Sequence, residues 1–227
     1  EITAGFPWYG TSRRHTFISL PGLTLPLHDT KTFKAVMDTM VDGLENGLFP
    51  YMGRDDNYAN NSVDASLWFI WAIQKYVIKT HEFSFVWKKY GPAIKSILKC
   101  YREGTIESIR MLENGLIYAG EVGKALTWMN AVVNGKPVTP RTGCNVEVNA
   151  LWYNAVMFSL ELAKRAKDEE FIQYWQSLPP VIKESFMNMF WDSKKGYLAD
   201  VTDYKYKDWS IRPNQVIAVS MEYSPID

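Results

Sequence analysis

The chain has 227 residues, with 25 basic and 25 acidic side chains and no net formal charge. That length suits one large domain with a real core, and the balanced, dispersed charge excludes a nucleic-acid-binding stripe. Two cysteines, Cys100 and Cys144, exclude a disulfide framework. No Cys/His spacing points to a metal, and no 18-residue apolar run exists to span a membrane.

In chain order, Gly5-Phe6-Pro7-Trp8-Tyr9-Gly10 reads as the inside of a domain. Residues 1–20 lack a basic segment followed by an apolar run, so no signal peptide is expected. Asn60-Asn61-Ser62 fits the N-glycosylation pattern but, without evidence of secretion, is read as chance, and a cytoplasmic location is expected. Thr30 is a plausible N-cap for Phe33, Val36, Met37, Met40, Val41 and Leu44 at helical spacing, with Gly47 as the stop. Ser62 to Lys79 predicts a helix that is apolar almost all round and therefore buried on more than one side. Phe83 to Tyr101 predicts a third helix with a break near Pro92, and Thr105 to Leu112 a short fourth.

Residues 114–145 are rich in Gly, Asn and Pro and predict a long ordered loop with room for short strand pairs, the kind of segment that carries function. Val146 to Lys167 is helical again, as is Glu169 to Phe190 with an interruption at Pro179-Pro180. Gly196 to Asp208 reads as a loop or hairpin, and Pro213 opens a last helix at its first position. Nearly all-apolar helices alternating with amphipathic ones predict an all-α fold, an (α/α)6 toroid, with an irregular helical bundle as the alternative. Both ends are abrupt and only seven or eight of twelve helices are legible. The expectation is thus the N-terminal and central part of a catalytic domain over residues 1–227, truncated at both ends, whose exposed apolar edge would favour association.

Aromatic residues make up 15% of the chain, with 9 Trp and 13 Tyr. Such side chains either fill the space between helices or stack on the C–H faces of sugars. Several polar residues stand at the starts of apolar helices. Asp64 is either a helix cap or a ligand contact, and Glu147 either a first-turn charge or a functional carboxylate. Arg212 holds a carboxylate or hydroxyl, or is a surface arginine; Arg14 belongs to the same set. His15, between Arg14 and Thr16, is either a base or an imidazole repelled by its arginine neighbours.

Four blocks taken together resemble the amylo-α-1,6-glucosidase domain of glycogen debranching enzymes, a six-hairpin glycosidase related to glucoamylases. They are Phe6 to Gly22 with Arg14, Val63-Asp64-Ala65-Ser66-Leu67-Trp68-Phe69, Leu126 to Tyr153, and Arg212-Pro213-Asn214-Gln215. The resemblance implies a toroid that removes the single α-1,6-linked glucose at a branch point of glycogen or a related α-glucan, by inversion and without a cofactor. One carboxylic acid protonates the glycosidic oxygen while an opposing carboxylate activates water, roughly 6.5–9.5 Å away. Trp8, Trp128 and Trp152 are then candidate stacking surfaces. Arg14, His15, Asp64, Arg141, Arg212, Asn214 and Gln215 are candidate contacts to the glucan.

Three departures from the family pattern matter. His15 stands where the family has Asp, and Asn130 stands at the position of the family's acid, in Trp128-Met129-Asn130. An amide cannot supply a titrating proton. The base is expected beyond Asp227. Glu147 is then the acid candidate of an active glycosidase. The alternatives are a glucan-binding domain without activity, a pocket with a different substrate, or an unrelated helical interaction domain.

Overall fold

The computed structural model describes residues 2–3, 10–49, 52–53, 62–106, 108–203 and 205–226, with the backbone alone at 52–53. The Phe6–Tyr9 part of the first block, Trp8 included, and the Asn60-Asn61 pair lie outside the described residues.

After the two-residue strand β1 (Thr11–Ser12) the chain enters α1 (Arg13–Thr24) and α2 (Thr30–Val41). The cap of α2 is Asp29 rather than Thr30, its carboxylate accepting from the Thr32 N–H at 2.9 Å. Phe33, Met37 and Met40 form the buried stripe of this helix, which ends at Val41, before Leu44 and Gly47. Strand β2 (Met52–Gly53) pairs antiparallel with β1. Helix α3 (Ala65–Thr80) is buried on nearly every side, as its all-round apolar sequence requires.

Helix α4 (Phe83–Glu103) runs through Pro92 without a break. The proline removes one N–H, but Pro92 and Lys88, whose carbonyl loses its partner, are both exposed to water, which can supply the missing bond. Thr105 to Leu112 is not the short helix expected. Gly104 at φ 100° and Ser108 at φ 56° turn the chain instead into β3 (Arg110–Met111), paired with β4 (Ile117–Tyr118).

A hairpin of β5 (Val132–Val133) and β6 (Lys136–Pro137) follows, then β7 (Cys144–Asn145). Helix α5 (Val146–Ala166) is the hub, packing against α3, α4 and three later helices. Those are α6 (Glu169–Trp175), α7 (Leu178–Phe190) and α8 (Asn214–Val219). The break between α6 and α7 falls ahead of Pro179-Pro180, which sit in the first turn of α7, where their missing N–H groups cost no helix bond. Strand β8 (Trp191–Asp192) pairs with β9 (Tyr197–Leu198). Strand β10 (Val201–Thr202) lies between β11 (Lys207–Asp208) and β7, closing a three-stranded sheet.

The expected all-α toroid is therefore corrected. Among the described residues, eight α-helices are joined by eleven two-residue strands in five small sheets, a mixed connectivity rather than a pure ring of helical hairpins. The long segments between helices satisfy their backbone groups by pairing with one another. Gly143 shows how tightly they do so. It holds φ 133°, and a side chain there would meet the Thr202 carbonyl at 2.9 Å, so only glycine lets β7 approach β10. Asn149 in α5 serves the same end from a helix. Its side chain accepts from the Ile117 N–H at 2.6 Å and donates to the Ile117 carbonyl at 3.0 Å.

One core runs through the molecule. Phe17, Phe49 and Phe69 cluster with centroids 5.0–5.4 Å apart, and Trp152 lies between Tyr101 and Trp175. None of the described helices is long and apolar enough to cross a membrane.

Candidate functional site

Two buried charged clusters are present, one at the start of α3 and one built around the long loop that precedes α5. In the first, Arg14 of α1 reaches the N-terminus of α3. Its Nε donates to both oxygens of Asp64 at 2.8 and 3.0 Å, and its Nη2 to Ser62 Oγ at 2.8 Å. The Ser62 hydroxyl in turn donates to Asp64 Oδ1 at 2.7 Å. Asp64 occupies the N-cap position but makes no side-chain capping bond, because its carboxylate is committed to Arg14.

The second cluster is larger, and Arg141 is its centre. The guanidinium donates to Glu147 through Nη1 at 2.5 Å and Nη2 at 2.7 Å. It also donates to Asp200 through Nε at 2.9 Å and Nη2 at 3.1 Å, and to Thr127 Oγ1 at 3.1 Å. Asp200 accepts from Arg212 Nη1 as well, and from Asn214 Nδ2 at 2.6 Å. Arg212 Nη1 also donates to Asp208 at 2.7 Å.

The two clusters are joined by backbone. The Val63 N–H, beside Asp64, donates to the Leu126 carbonyl at 2.9 Å, and Leu126 precedes Thr127.

The titration behaviour follows from this enclosure. Burial raises the pKa of Glu147, the more so with the negative charge of Asp200 nearby, and the bonds and charge of Arg141 only partly oppose it. Burial works against the charge of Arg141, yet its bonds to Glu147 and the two carboxylate charges outweigh burial and raise its pKa. Arg212 is raised for the same balance of reasons. Asp208 is lowered, since hydrogen bonds from Ser210 and Arg212 exceed the cost of its partial burial. His15 is lowered, first by burial and then by the Arg14 charge, against the opposing pull of Asp64; its Nδ1 lies 2.7 Å from Ser12 Oγ.

The candidate residues divide by where they face. Trp128 is 40% exposed, with its indole Nε1–H donating to Asn214 Oδ1 at 2.7 Å. His15 is exposed, Asn130 is half-buried next to Trp128, and Arg212 keeps its side chain 21% exposed. Gln215 is a tie within the fold. It accepts from the Arg212 N–H at 3.0 Å and donates to the Leu198 and Ser210 carbonyls.

Trp152 is wholly buried, stacked on Tyr101 and donating to the Gly115 carbonyl at 3.0 Å, so it belongs to the core. Arg141 and Glu147 are also enclosed. All three nitrogens of Arg141 are engaged, which makes it a pillar beneath the surface rather than an open hand.

Sequence reasoning missed Asp200, the carboxylate that joins Arg141, Arg212 and Asn214. The available signal is an acid set inside the apolar run Leu198-Ala199-Asp200-Val201, a place where an unpaired charge is costly. Thr127 and Asp208 were missed for want of any such mark.

This arrangement, a solvent-facing indole resting on a buried polar network, suits recognition of a polyhydroxylated ring. The family model described as amylo-alpha-1,6-glucosidase matches residues 1–227, and the chain belongs to that family. It is accordingly a glycoside-hydrolase-like domain. No curated protein matches the chain. Among solved structures, the chain is similar in fold to the GH78 family rhamnosidase of Bacillus sp. GL1, with a TM-score of 0.53 and 19% identity. That similarity covers 74% of this chain and 16% of the rhamnosidase, so the chain spans under one sixth of that enzyme's length.

Proposed function

We propose that this domain acts in an enzyme that hydrolyses α-1,6-linked glucose at branch points of glycogen or a related α-glucan, with inversion. The observation that carries this reading is the Trp128–Asn214–Asp200 chain of hydrogen bonds within an amylo-α-1,6-glucosidase family member. An indole held by its Nε1–H offers a fixed apolar face on which a glucose ring can stack. The outward part of Arg212 adds hydrogen-bond donors beside it. A cytoplasmic site of action belongs to this reading, and Cys100 and Cys144 are both unpaired, in keeping with a reducing compartment.

Glu147 is the carboxyl group to which we assign proton donation. Its raised pKa is the property a general acid needs. Both its oxygens accept from Arg141 and the side chain is enclosed. Donation therefore requires Arg141 to shift toward Asp200, with which it already shares two bonds, and the enclosing segment to open a path to the glycosidic oxygen.

A second reading is a glucan-binding domain without turnover. It is favoured by the amide at Asn130 and by the fact that Glu147, Asp200 and Asp208 are all bound to arginines. Glucose release from a branched limit dextrin by the full-length protein decides between them. Release supports hydrolysis; retained glycogen binding with no release leaves the binding domain.

A further inference from the structure

A cavity of about 500 Å³ opens between the C-terminal half of α4 and helix α6, lined by Lys95, Lys99, Glu103, Asp168, Tyr174 and Trp175, among others. None of these residues belongs to the site described above. The volume falls within the roughly 300–1,000 Å³ of small-molecule sites.

Its walls are aromatic. Phe171 and Trp175 stack with centroids 5.8 Å apart, and Tyr174 meets Trp175 edge-on at 5.4 Å. Tyr174 is 47% exposed although it carries a large apolar ring. One face of that ring is covered by the Arg102 guanidinium at 4.1 Å, which also donates to the Tyr174 carbonyl at 3.0 Å. The ring is therefore held in place while part of it stays open to the cavity.

The rim is polar and of mixed sign. Lys95 is drawn onto Asp168 at 2.5 Å, and Asp168 also accepts from Trp87 Nε1 at 3.2 Å. Lys99, Glu103 and Glu170 complete the rim. Three carboxylates are balanced by Lys95, Lys99 and the Arg102 guanidinium on Tyr174, so no net charge favours an ion of either sign. Six charged groups disfavour a purely apolar ligand. What remains is a neutral ligand with apolar faces and many hydroxyls. Such a ligand stacks on Tyr174 and exchanges hydrogen bonds with ammonium and carboxylate groups at once.

We infer that this groove is a second carbohydrate site, holding a segment of α-glucan away from the candidate active site. The choice of glucan rests on the proposed function; the groove's preference for a neutral polyhydroxylated chain does not. A site of this kind tethers a large branched polymer without taking part in bond cleavage, and it acts by raising the local concentration of branch points.

The test uses the full-length protein, glycogen, and a short maltooligosaccharide bearing one α-1,6-linked glucose. Tyr174→Ala is expected to weaken glycogen binding about 5–10-fold in affinity electrophoresis, the range one aromatic contact supplies. Turnover of the short substrate is expected to stay at the wild-type value. Tyr174→Phe keeps the ring and is expected to bind as wild type does. Glu103→Trp occupies the groove from its α4 wall, leaving residue 174 unchanged, and is expected to weaken binding as Tyr174→Ala does.

Wild-type glycogen affinity in both Tyr174→Ala and Glu103→Trp overturns the inference, as does an equal loss in Tyr174→Phe. If the wild type turns over no short substrate but Tyr174→Ala still weakens glycogen binding, the hydrolase reading falls and the groove stands. Normal turnover with unaffected binding does the reverse.

Discussion

Trp128 and Asn214 are 86 positions apart in sequence and are joined by a 2.7 Å hydrogen bond from the indole Nε1–H to the amide oxygen. The other end of that amide donates to Asp200, so Asn214 carries the orientation of a half-exposed indole back to a fully buried carboxylate. The third and fourth family-like blocks of the sequence thus form one device.

Replacing Asn214 with Leu removes both bonds and keeps the branched four-heavy-atom shape of the side chain. The Trp128 ring should then rotate freely, and glycogen affinity should fall by up to about tenfold, as the loss of one orienting hydrogen bond of about 0.5–1.5 kcal/mol predicts. Indole fluorescence anisotropy should drop in parallel. Unchanged affinity and anisotropy in a folded Asn214→Leu protein would show that the bond does not set the ring.

Asp200→Ala should be the most damaging single truncation in the cluster. It strips Arg141 of two of its carboxylate bonds, leaving only Glu147, leaves Arg212 with Asp208 alone, and orphans the Asn214 amide donor. Breaking a buried pair by removing one partner costs about 3–5 kcal/mol. A urea titration should show the midpoint shifted accordingly with the slope retained. A loss below about 1 kcal/mol would mean that Glu147 alone suffices to hold Arg141.

Arg14→Lys preserves charge but not geometry. The guanidinium places Nε on Asp64 and Nη2 on Ser62 simultaneously, and an ammonium cannot cover both from that stem. Stability should fall by about 1–3 kcal/mol, the penalty of an unsatisfied buried group. Thermal unfolding measures it, and a lysine variant as stable as wild type contradicts the claim that the fork geometry matters.

Much of this could be read in the sequence, and the reasons for the rest are physical. Helix α2 announces itself because Phe33, Met37 and Met40 carry the 3.6-residue period, and α3 and α5 because their apolar residues run on for many positions without Gly or Pro. The bounds of the strands are invisible because two residues carry no alternation, although turn-rich stretches pointed to the pairs within 114–145 and to the hairpin ending at Asp208. The false helix over Thr105 to Leu112 arose because its apolar spacing ignores the positive φ at Ser108, which only the tertiary setting imposes. For the site, Arg14, Asp64, Glu147 and Arg212 were legible as polar residues at element starts, and Arg141 and Asn214 only through the blocks that resemble the family. Their partner Asp200 was not, since its role comes from β10 pairing with β7, a contact between distant segments.

The acid limb of stability should be set by four aspartates whose pKa values are lowered in the folded state. Asp29 is lowered by its Thr32 hydrogen bonds, Asp168 by the Lys95 ammonium, and Asp192 by the backbone N–H groups of Lys195 and Lys194. Asp208 is lowered because bonds from Ser210 and Arg212 outweigh its burial. A lowered native pKa means the unfolded chain binds more protons, so stability rises with pH through this window. The contribution is complete above the unfolded aspartate value of about 3.9 and is lost as pH falls through the folded values. Glu147, raised by burial, has the opposite sign and costs native stability as pH climbs past about 4.3. Melting temperatures should therefore decline below about pH 4. A flat profile there would contradict the assigned directions.

Glu147→Gln separates proton donation from scaffolding. Glutamine matches the size of glutamate, but its amide nitrogen would face the Arg141 guanidinium, donor against donor, where a carboxylate oxygen now accepts at 2.5 or 2.7 Å. Some stability, about 1–3 kcal/mol, should be lost on either view. The kinetics differ. If Glu147 is the acid, kcat on a branched limit dextrin falls about 10²–10⁴-fold. The alkaline limb of the kcat/KM profile, which reports the pKa of the free enzyme's acid, should then vanish with it. If Glu147 only positions Arg141, the loss appears mainly in KM and the alkaline limb survives in the variant. A pH profile of the variant enzyme, taken below its melting temperature, distinguishes the two, and a surviving alkaline limb with near-normal kcat removes Glu147 from the chemistry.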